Sequence, residues 1–114
     1  CHDMHGATGC PSGSPVKAGD DFLRGLLPSL ISYAAANKGL ILLTWDEPEG
    51  ALTQPFVVVA PHLKSAGYES RVRYDLSSVL KSVQQIFQVT PLLGHAADPS
   101  TTNLSDFFQA GFFP

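Results

Sequence analysis

The sequence predicts an α/β fold with a mostly parallel central sheet and helices on both faces. Two apolar runs predict strands: residues 40–44, between Gly39 and Pro48, and residues 56–60, between two prolines. Unbroken apolar runs with such boundaries are typical of strands that a parallel sheet buries on both faces. The helix expected directly before the first run would make the αβ half of a βαβ unit. Residues 48–54 could instead join the strands as a hairpin, because a parallel connection normally needs a dozen residues or more.

The first helix is predicted from an apolar stripe at helical spacing. The stripe consists of Phe22, Leu23, Leu26, Leu27, Leu30 and Ile31. Asp20 or Asp21 is expected to cap its start, and Pro28 to kink it or divide it. Gly39 suits the left-handed conformation that commonly ends a helix.

A second helix is predicted after Asp75 or Ser77, either of which can cap it. Its expected apolar face comprises Val79, Leu80, Val83, Ile86 and Phe87. Further on, Asn103 can cap a short turn. The chain then ends in an aromatic tail, residues 111–114, and four phenylalanines fall among its last eight residues. Such a tail must dock on this chain or on a partner, and a homo-oligomer could form through it.

Composition narrows the classes of partner. A length of 114 residues suits one domain or part of one, and the charged fraction of 15% suggests much buried or interface surface. A net charge of −3 gives no electrostatic reason to expect nucleic acid or an anionic membrane as partner. No apolar run reaches the length of a transmembrane segment.

The predicted elements are too few to close an α/β domain. Strands that are apolar on both faces need helices on both sides and neighbours on both edges. We therefore expect an upstream segment or a companion chain to supply the missing strands. The cysteine at position 1, where a starting methionine would stand, agrees with that expectation.

Two adjacent carboxylates, Asp46 and Glu47, follow the first strand where ligands of open α/β sheets gather. Neighbouring carboxylates repel each other and must be hydrated, hydrogen-bonded or bound to a cation. One interpretation is a divalent metal ion, and the other is a hydrated acidic turn that includes Glu49. His62 follows the second strand and is more typical of a structural histidine.

The first ten residues carry a second polar cluster. His2, Asp3 and His5 could bind metal or transfer a proton, or they could belong to a polar loop. Cys1 and Cys10 can close a disulfide, which would indicate an oxidising compartment. A Cys/His metal cluster is the alternative, although its spacing matches no standard zinc pattern.

Three segments together resemble one family. They are Cys-His-Asp-Met-His at 1–5, Gly-Asp-Asp-Phe-Leu at 19–23 and Thr-Trp-Asp-Glu at 44–47. They resemble the carboxyl-terminal half of the phosphoesterase family of bacterial acid phosphatases and phosphatidylinositol-3-phosphatase-like enzymes, which is related to phospholipases C. The matching order continues through residues 57–61, 64–67 and the helix from Ser77, and so covers most of the chain.

The resemblance implies an alkaline-phosphatase-like fold, of which residues 1–114 form the carboxyl-terminal part of a single domain. Residues 1–19 would be a disulfide-tied site loop, residues 20–110 the helices and strands, and residues 111–114 the tail. It also implies a secreted or periplasmic location and a metal-dependent phosphatase or phosphodiesterase acting on a phosphoester substrate.

The site residues implied by the resemblance are few. Asp46 and Glu47 match the metal-binding acidic pair, and Asp3 is a further candidate ligand. His5 is a candidate for catalysis, and His2 and His5 are candidates for substrate binding. The Ser or Thr nucleophile would lie outside this chain, which alone should not be active.

Two positions depart from the family pattern. Leu76 follows Tyr-Asp where the family often has a histidine, and Gly6 stands where an acidic residue is common. Leucine can neither bind a metal nor shuttle a proton. The alternative function is therefore a non-catalytic binding or assembly protein on the same fold.

Overall fold

A computed structural model describes residues 4–5, 10, 13–46, 50 and 56–113. The chain divides into two compact units, Cys1–Pro61 and His62–Pro114. In the described part, the first unit contains helix α1 (Pro15–Ala36) and strands β1 (Ile41–Thr44) and β2 (Phe56–Val59), and the second contains helix α2 (Leu76–Ile86). Two 3₁₀ helices, Gly94–Ala97 and Leu104–Phe107, follow α2. Within these ranges, neither α1 nor α2 combines the length and the apolar character that a bilayer crossing requires.

The predicted fold class is wrong for the part of the chain that the structure describes. β1 and β2 pair antiparallel, with Ile41 opposite Val59 and Thr44 opposite Phe56, and they form a two-stranded sheet. No mostly parallel central sheet with helices on both faces is found among these residues. The segment 45–55 is too short for a parallel crossover, so the hairpin alternative applies. All of β1 is only half-buried and Val57 is 45% exposed, unlike strands covered on both faces.

The start of α1 differs from its prediction. The helix begins at Pro15, whose missing N–H costs nothing in the first turn. Asp20 and Asp21 therefore do not cap it but lie inside it. Their carboxylates accept hydrogen bonds one turn away, Asp20 from Arg24 and Asp21 from Lys17. These are i,i+4 pairs on an exposed helix surface, where solvent screens the charges and the gain in stability is small.

The end of α1 uses a different residue from the one expected. Lys38, with a φ of 55°, takes the left-handed conformation that was predicted for Gly39. Gly39 instead donates its N–H to the carbonyl of Ala34 at 2.8 Å. A Cβ atom on Gly39 would lie 3.4 Å from the Cα of Ala34, an ordinary contact distance. Pro28 lies inside an unbroken helix rather than dividing it.

Helix α2 begins as predicted. Asp75 caps it by accepting a hydrogen bond from the Ser78 N–H at 2.9 Å, and the Ser78 hydroxyl accepts in return from the Asp75 N–H. Two of the N–H groups that a helix start leaves without intrahelical partners are thereby satisfied.

The core of the second unit packs on the serine side of α2. Ser82, fully buried, donates to the carbonyl of Ser78 at 2.7 Å and accepts from the Leu104 N–H at 2.9 Å. Leu104 is 1% exposed and Phe108 is 4% exposed. A buried hydroxyl is tolerated here because it has both a donor and an acceptor partner.

The predicted apolar face of α2 is only partly covered. Val79, Val83 and Ile86 are half-buried, whereas Leu80 is 43% exposed and Phe87 is 75% exposed. In the first unit, α1 leaves a similar stripe on its surface, in which Leu26, Leu30 and Tyr33 are exposed. We refer to these two sets, Leu80 with Phe87 and Leu26 with Leu30 and Tyr33, as the exposed helix stripes.

The aromatic tail docks inside the second unit. The chain on either side of Leu63 and Phe108 pairs antiparallel, with the Gln109 N–H donating to the His62 carbonyl at 2.9 Å. Phe112 stacks on the His62 ring at a centroid distance of 4.2 Å, and Phe113 meets Phe108 edge-on at 5.5 Å. The predicted docking thus occurs on this chain.

Candidate functional site

The structure places Asp46 at the end predicted from the sequence. β1 ends at Thr44, Trp45 is half-buried, and Asp46 is exposed directly beyond it. Thr44 pairs with Phe56 at the last paired position of the sheet, and Asp46 lies beyond it. Glu47 lies outside the described residues. The position of one carboxylate of the predicted pair is therefore known, and it is accessible to a ligand.

The predicted amino-terminal cluster is described only in part. His5 is exposed and Cys10 is half-buried. Cys1, His2, Asp3 and Gly6 lie outside the described residues, so the disulfide and the Asp3 ligand stay predictions. Among the residues that the structure does describe, no group of three or more His, Cys, Asp or Glu side chains is arranged to hold a metal ion.

Leu76, which stands where the resembled family often has a histidine, is the first residue of α2 and is 54% exposed. The neighbouring Asp75 carboxylate is committed to capping the helix. This helix start therefore offers a leucine side chain and a carboxylate that already has a partner.

A polar network that the sequence did not reveal centres on Asp106. Lys64 donates from Nζ to Asp106 Oδ1 at 2.6 Å, and the hydroxyl groups of Tyr68 and Ser70 donate to Oδ2 at 2.9 and 2.5 Å. Asp106 lies in the second 3₁₀ helix. Asn103 caps the start of this helix, because its side-chain oxygen accepts a hydrogen bond from the Ser105 N–H. We call these four residues, Lys64, Tyr68, Ser70 and Asp106, the Asp106 network.

The electrostatics of the network explain its role. Hydrogen bonds from Lys64, then from Ser70 and Tyr68, lower the pKa of Asp106 to about 2, and the bond to Asp106 raises the pKa of Lys64. Both groups are therefore charged at neutral pH. A carboxylate with so low a pKa is a weak base and does not take the proton of the Ser70 hydroxyl. We therefore expect the Asp106 network to stabilise the second unit.

Aromatic contacts surround the network. Tyr74 stacks on Phe107 at a centroid distance of 5.6 Å, and Tyr68 meets the same ring edge-on at 6.2 Å. Burial raises the pKa of Tyr74, whose hydroxyl lies 3.3 Å from Ser70 Oγ. The Tyr74 phenol is thus neutral over the physiological pH range.

A pocket of about 350 Å³ adjoins this network in the second unit. Its lining residues are Val72, Tyr74, Lys81, Thr101, Thr102, Asn103, Ser105 and Asp106. The volume is at the lower end of the range typical of small-molecule sites. Apart from Asn103, which was predicted to cap a short turn, the polar side chains of this pocket were not singled out from the sequence, because loop residues far apart in the chain show no shared spacing.

Comparison with known proteins gives one distant relative. The chain is 26% identical over 106 residues to a phosphatidylinositol-3-phosphatase of Mycobacterium tuberculosis. The match covers 90% of this chain and 32% of the relative, so the chain spans about a third of the length of that protein. No protein-family model and no solved structure matches the chain. The chain is thus similar, at a distance, to a phosphatase.

Proposed function

We propose that this chain is the carboxyl-terminal part of a metal-dependent phosphoric ester hydrolase and contributes Asp46 and Glu47 to its metal site. The observation that carries the proposal is the exposed carboxylate of Asp46 directly beyond β1. It lies in a chain of which 90% aligns with a phosphatase. The resembled family suggests a secreted or periplasmic enzyme, for which Asp3 would be a further ligand.

The donor types suit a hard divalent cation. Carboxylate oxygens are the preferred ligands of such ions, and two adjacent acidic residues are best accommodated beside a positive charge. A bound divalent ion would supply charge stabilisation at phosphorus and would lower the pKa of an attacking hydroxyl or water. In this chain Asp46 and Glu47 would hold the ion, while His5 is the described residue suited to contact the phosphate or move a proton.

The exposed helix stripes support the idea that this chain packs against further polypeptide. Leu26 and Leu30 on α1, Leu80 on α2 and Phe87 directly after α2 are each about two-fifths or more exposed. Monomeric proteins seldom leave such apolar rows in water. An amino-terminal half or companion chain that covers them is the segment we expect to supply the Ser or Thr nucleophile.

The test is hydrolysis of an aryl phosphate by the native assembly that contains this chain. Activity should fall after chelation and return on adding back a divalent metal. Asp46→Asn should lower kcat/KM by about 100-fold or more, because loss of even an outer-shell group at a metal site costs about 10–100-fold. Asp20→Asn, which alters another exposed carboxylate, on α1, is the matched control and should leave activity unchanged.

The second candidate is a non-catalytic binding or assembly protein. Leu76 favours it, because leucine at the start of α2 cannot bind a metal or carry a proton. This candidate predicts an assembly that forms normally but shows neither hydrolysis nor a response to chelation. Phosphatase activity that depends on Asp46 would reject it.

A further inference from the structure

The pocket beside the Asp106 network offers several hydrogen-bond acceptors. Thr101 donates its hydroxyl proton to the His95 carbonyl at 2.7 Å, and Thr102 donates to the Arg73 carbonyl at 3.3 Å. A hydroxyl group carries one proton and two acceptor lone pairs. Because both protons are already used, these threonine oxygens can only accept hydrogen bonds from a ligand.

Asp106 adds a third acceptor to the same pocket. Within the part of the chain that the structure describes, its Oδ2 accepts from two hydroxyl groups, whereas its Oδ1 accepts from Lys64 only. A carboxylate oxygen can accept two hydrogen bonds, so Oδ1 keeps capacity for one more donor. The Lys64 ammonium, which is itself 39% exposed, compensates only part of the carboxylate charge.

Lys81 is the complementary donor. Its Nζ donates to the carbonyls of Asp98 at 3.2 Å and Thr101 at 2.8 Å, and an ammonium group has three protons. Among the described residues, no carboxylate oxygen lies within 4.0 Å of Nζ. One donor of Lys81 is therefore available to a ligand.

The charges in the pocket oppose an ionic ligand of either sign. An anion drawn to Lys81 would meet the Asp106 carboxylate, and a cation drawn to Asp106 would meet the Lys81 ammonium. A neutral ligand with several hydroxyl groups avoids both costs, since each hydroxyl can donate to an acceptor such as Thr101, Thr102 or Asp106 and accept from a donor such as Lys81. Val72 and Tyr74 provide apolar wall against which carbon atoms of such a ligand can pack.

We propose that this pocket binds a neutral polyhydroxylated ring, such as a monosaccharide or a cyclic polyol. Ring hydroxyls would donate to Thr101, Thr102 and Asp106 and accept from Lys81. The volume of about 350 Å³ is ample for one six-membered ring. The site lies within the second unit and requires neither a metal ion nor a phosphate group, so it stands independently of the proposed enzymatic function.

The experiment is a titration of the full ¹⁵N-labelled chain with glucose and myo-inositol, followed by amide chemical shifts. We expect saturable shifts at residues 101–103 with a Kd of about 1–10 mM, a normal affinity for a ligand of this size. Thr102→Val should weaken binding about threefold to tenfold, the value of one hydrogen bond. Ser100→Ala, an exposed neighbour that does not line the pocket, is the matched control and should bind like the wild type.

Three outcomes would overturn the proposal. The first is an absence of saturable shifts with either ring up to about 100 mM, well above the expected Kd. The second is equal binding by Thr102→Val and wild type, and the third is tighter binding of inorganic phosphate at the same amides. Lys81→Met should also abolish binding. If that variant fails to fold, the Thr102→Val comparison still decides, because Thr102 is exposed and valine has the same shape.

Discussion

The charge on Asp106 should contribute measurably to the stability of the second unit. Asp106→Asn removes the charged acceptor for Lys64 and the two hydroxyl groups, while its side-chain carbonyl can still accept from one of them. Hydrogen bonds to charged groups contribute about 1.5–3 kcal/mol each, and part of that is recovered by the amide. We therefore expect Asp106→Asn to lower the free energy of unfolding by about 1–3 kcal/mol at pH 7.

The pH dependence of stability gives a second value for the contribution of Asp106 to the free energy of unfolding. The pKa of Asp106 falls from 3.8 to about 2 on folding. Because one pKa unit corresponds to about 1.4 kcal/mol, and Lys64 is 39% exposed and partly screened by solvent, the contribution is about 1–2 kcal/mol. A lowered pKa means that this stabilisation is fully present above the unfolded pKa. It is lost as the pH falls through 4 towards 2.

The assay is urea unfolding of the full chain, followed by circular dichroism at pH 7, 5, 4, 3 and 2. The wild type should lose the acid-sensitive component, and Asp106→Asn should lack it. Glu69→Gln, an exposed carboxylate next to Ser70, should behave like the wild type within about 0.5 kcal/mol. If Asp106→Asn matches Glu69→Gln at pH 7 and keeps the wild-type acid dependence, the network does not stabilise the fold as argued.

Three further results follow from the same structure. Lys38→Gly should raise the free energy of unfolding by about 0.5–1 kcal/mol in urea titrations, because a left-handed backbone strains a lysine but not a glycine. Ser82→Ala should lower it by about 1–3 kcal/mol, since the buried Leu104 N–H loses its acceptor, and an unchanged midpoint would contradict the described core. The pKa of His95 is raised, mainly by its hydrogen bond to Asp98. The stabilisation from this bond is fully present below pH 6.5 and is lost as the pH rises through the folded pKa of His95. Without the Asp98 carboxylate the pKa should not be raised, and an NMR titration of Asp98→Asn should therefore show the His95 pKa returning towards its ordinary value.

The sequence predicted most elements but not their arrangement. Both strands and the start of α2 lie within one or two residues of their predicted positions, because apolar runs and the Asp75 cap are local signals. Strand direction is not local: an apolar run is the same in a parallel or antiparallel pair, and the short connection 45–55 decided between them. The start of α1 was placed too late because acidic residues inside a helix resemble a cap.

Only the site residue that follows directly from a predicted strand could be placed from the sequence. Asp46 could be placed from the strand that precedes it. The Asp106 network could not, because Lys64 and Asp106 are 42 residues apart and meet only when the chain at residues 62–64 pairs with residues 107–109. Ser82 was likewise missed, since a serine inside a helix gives no sign that it will accept a hydrogen bond from a distant Leu104.

The most direct test of the proposed function is the metal content of the native assembly, compared between wild type and Asp46→Asn after purification without chelator. The account predicts a stoichiometric divalent metal in the wild type, loss of most of it in Asp46→Asn and retention in Asp20→Asn. Equal metal content in wild type and Asp46→Asn, or no metal in an assembly that still hydrolyses aryl phosphates, would contradict the assignment of Asp46 as a ligand.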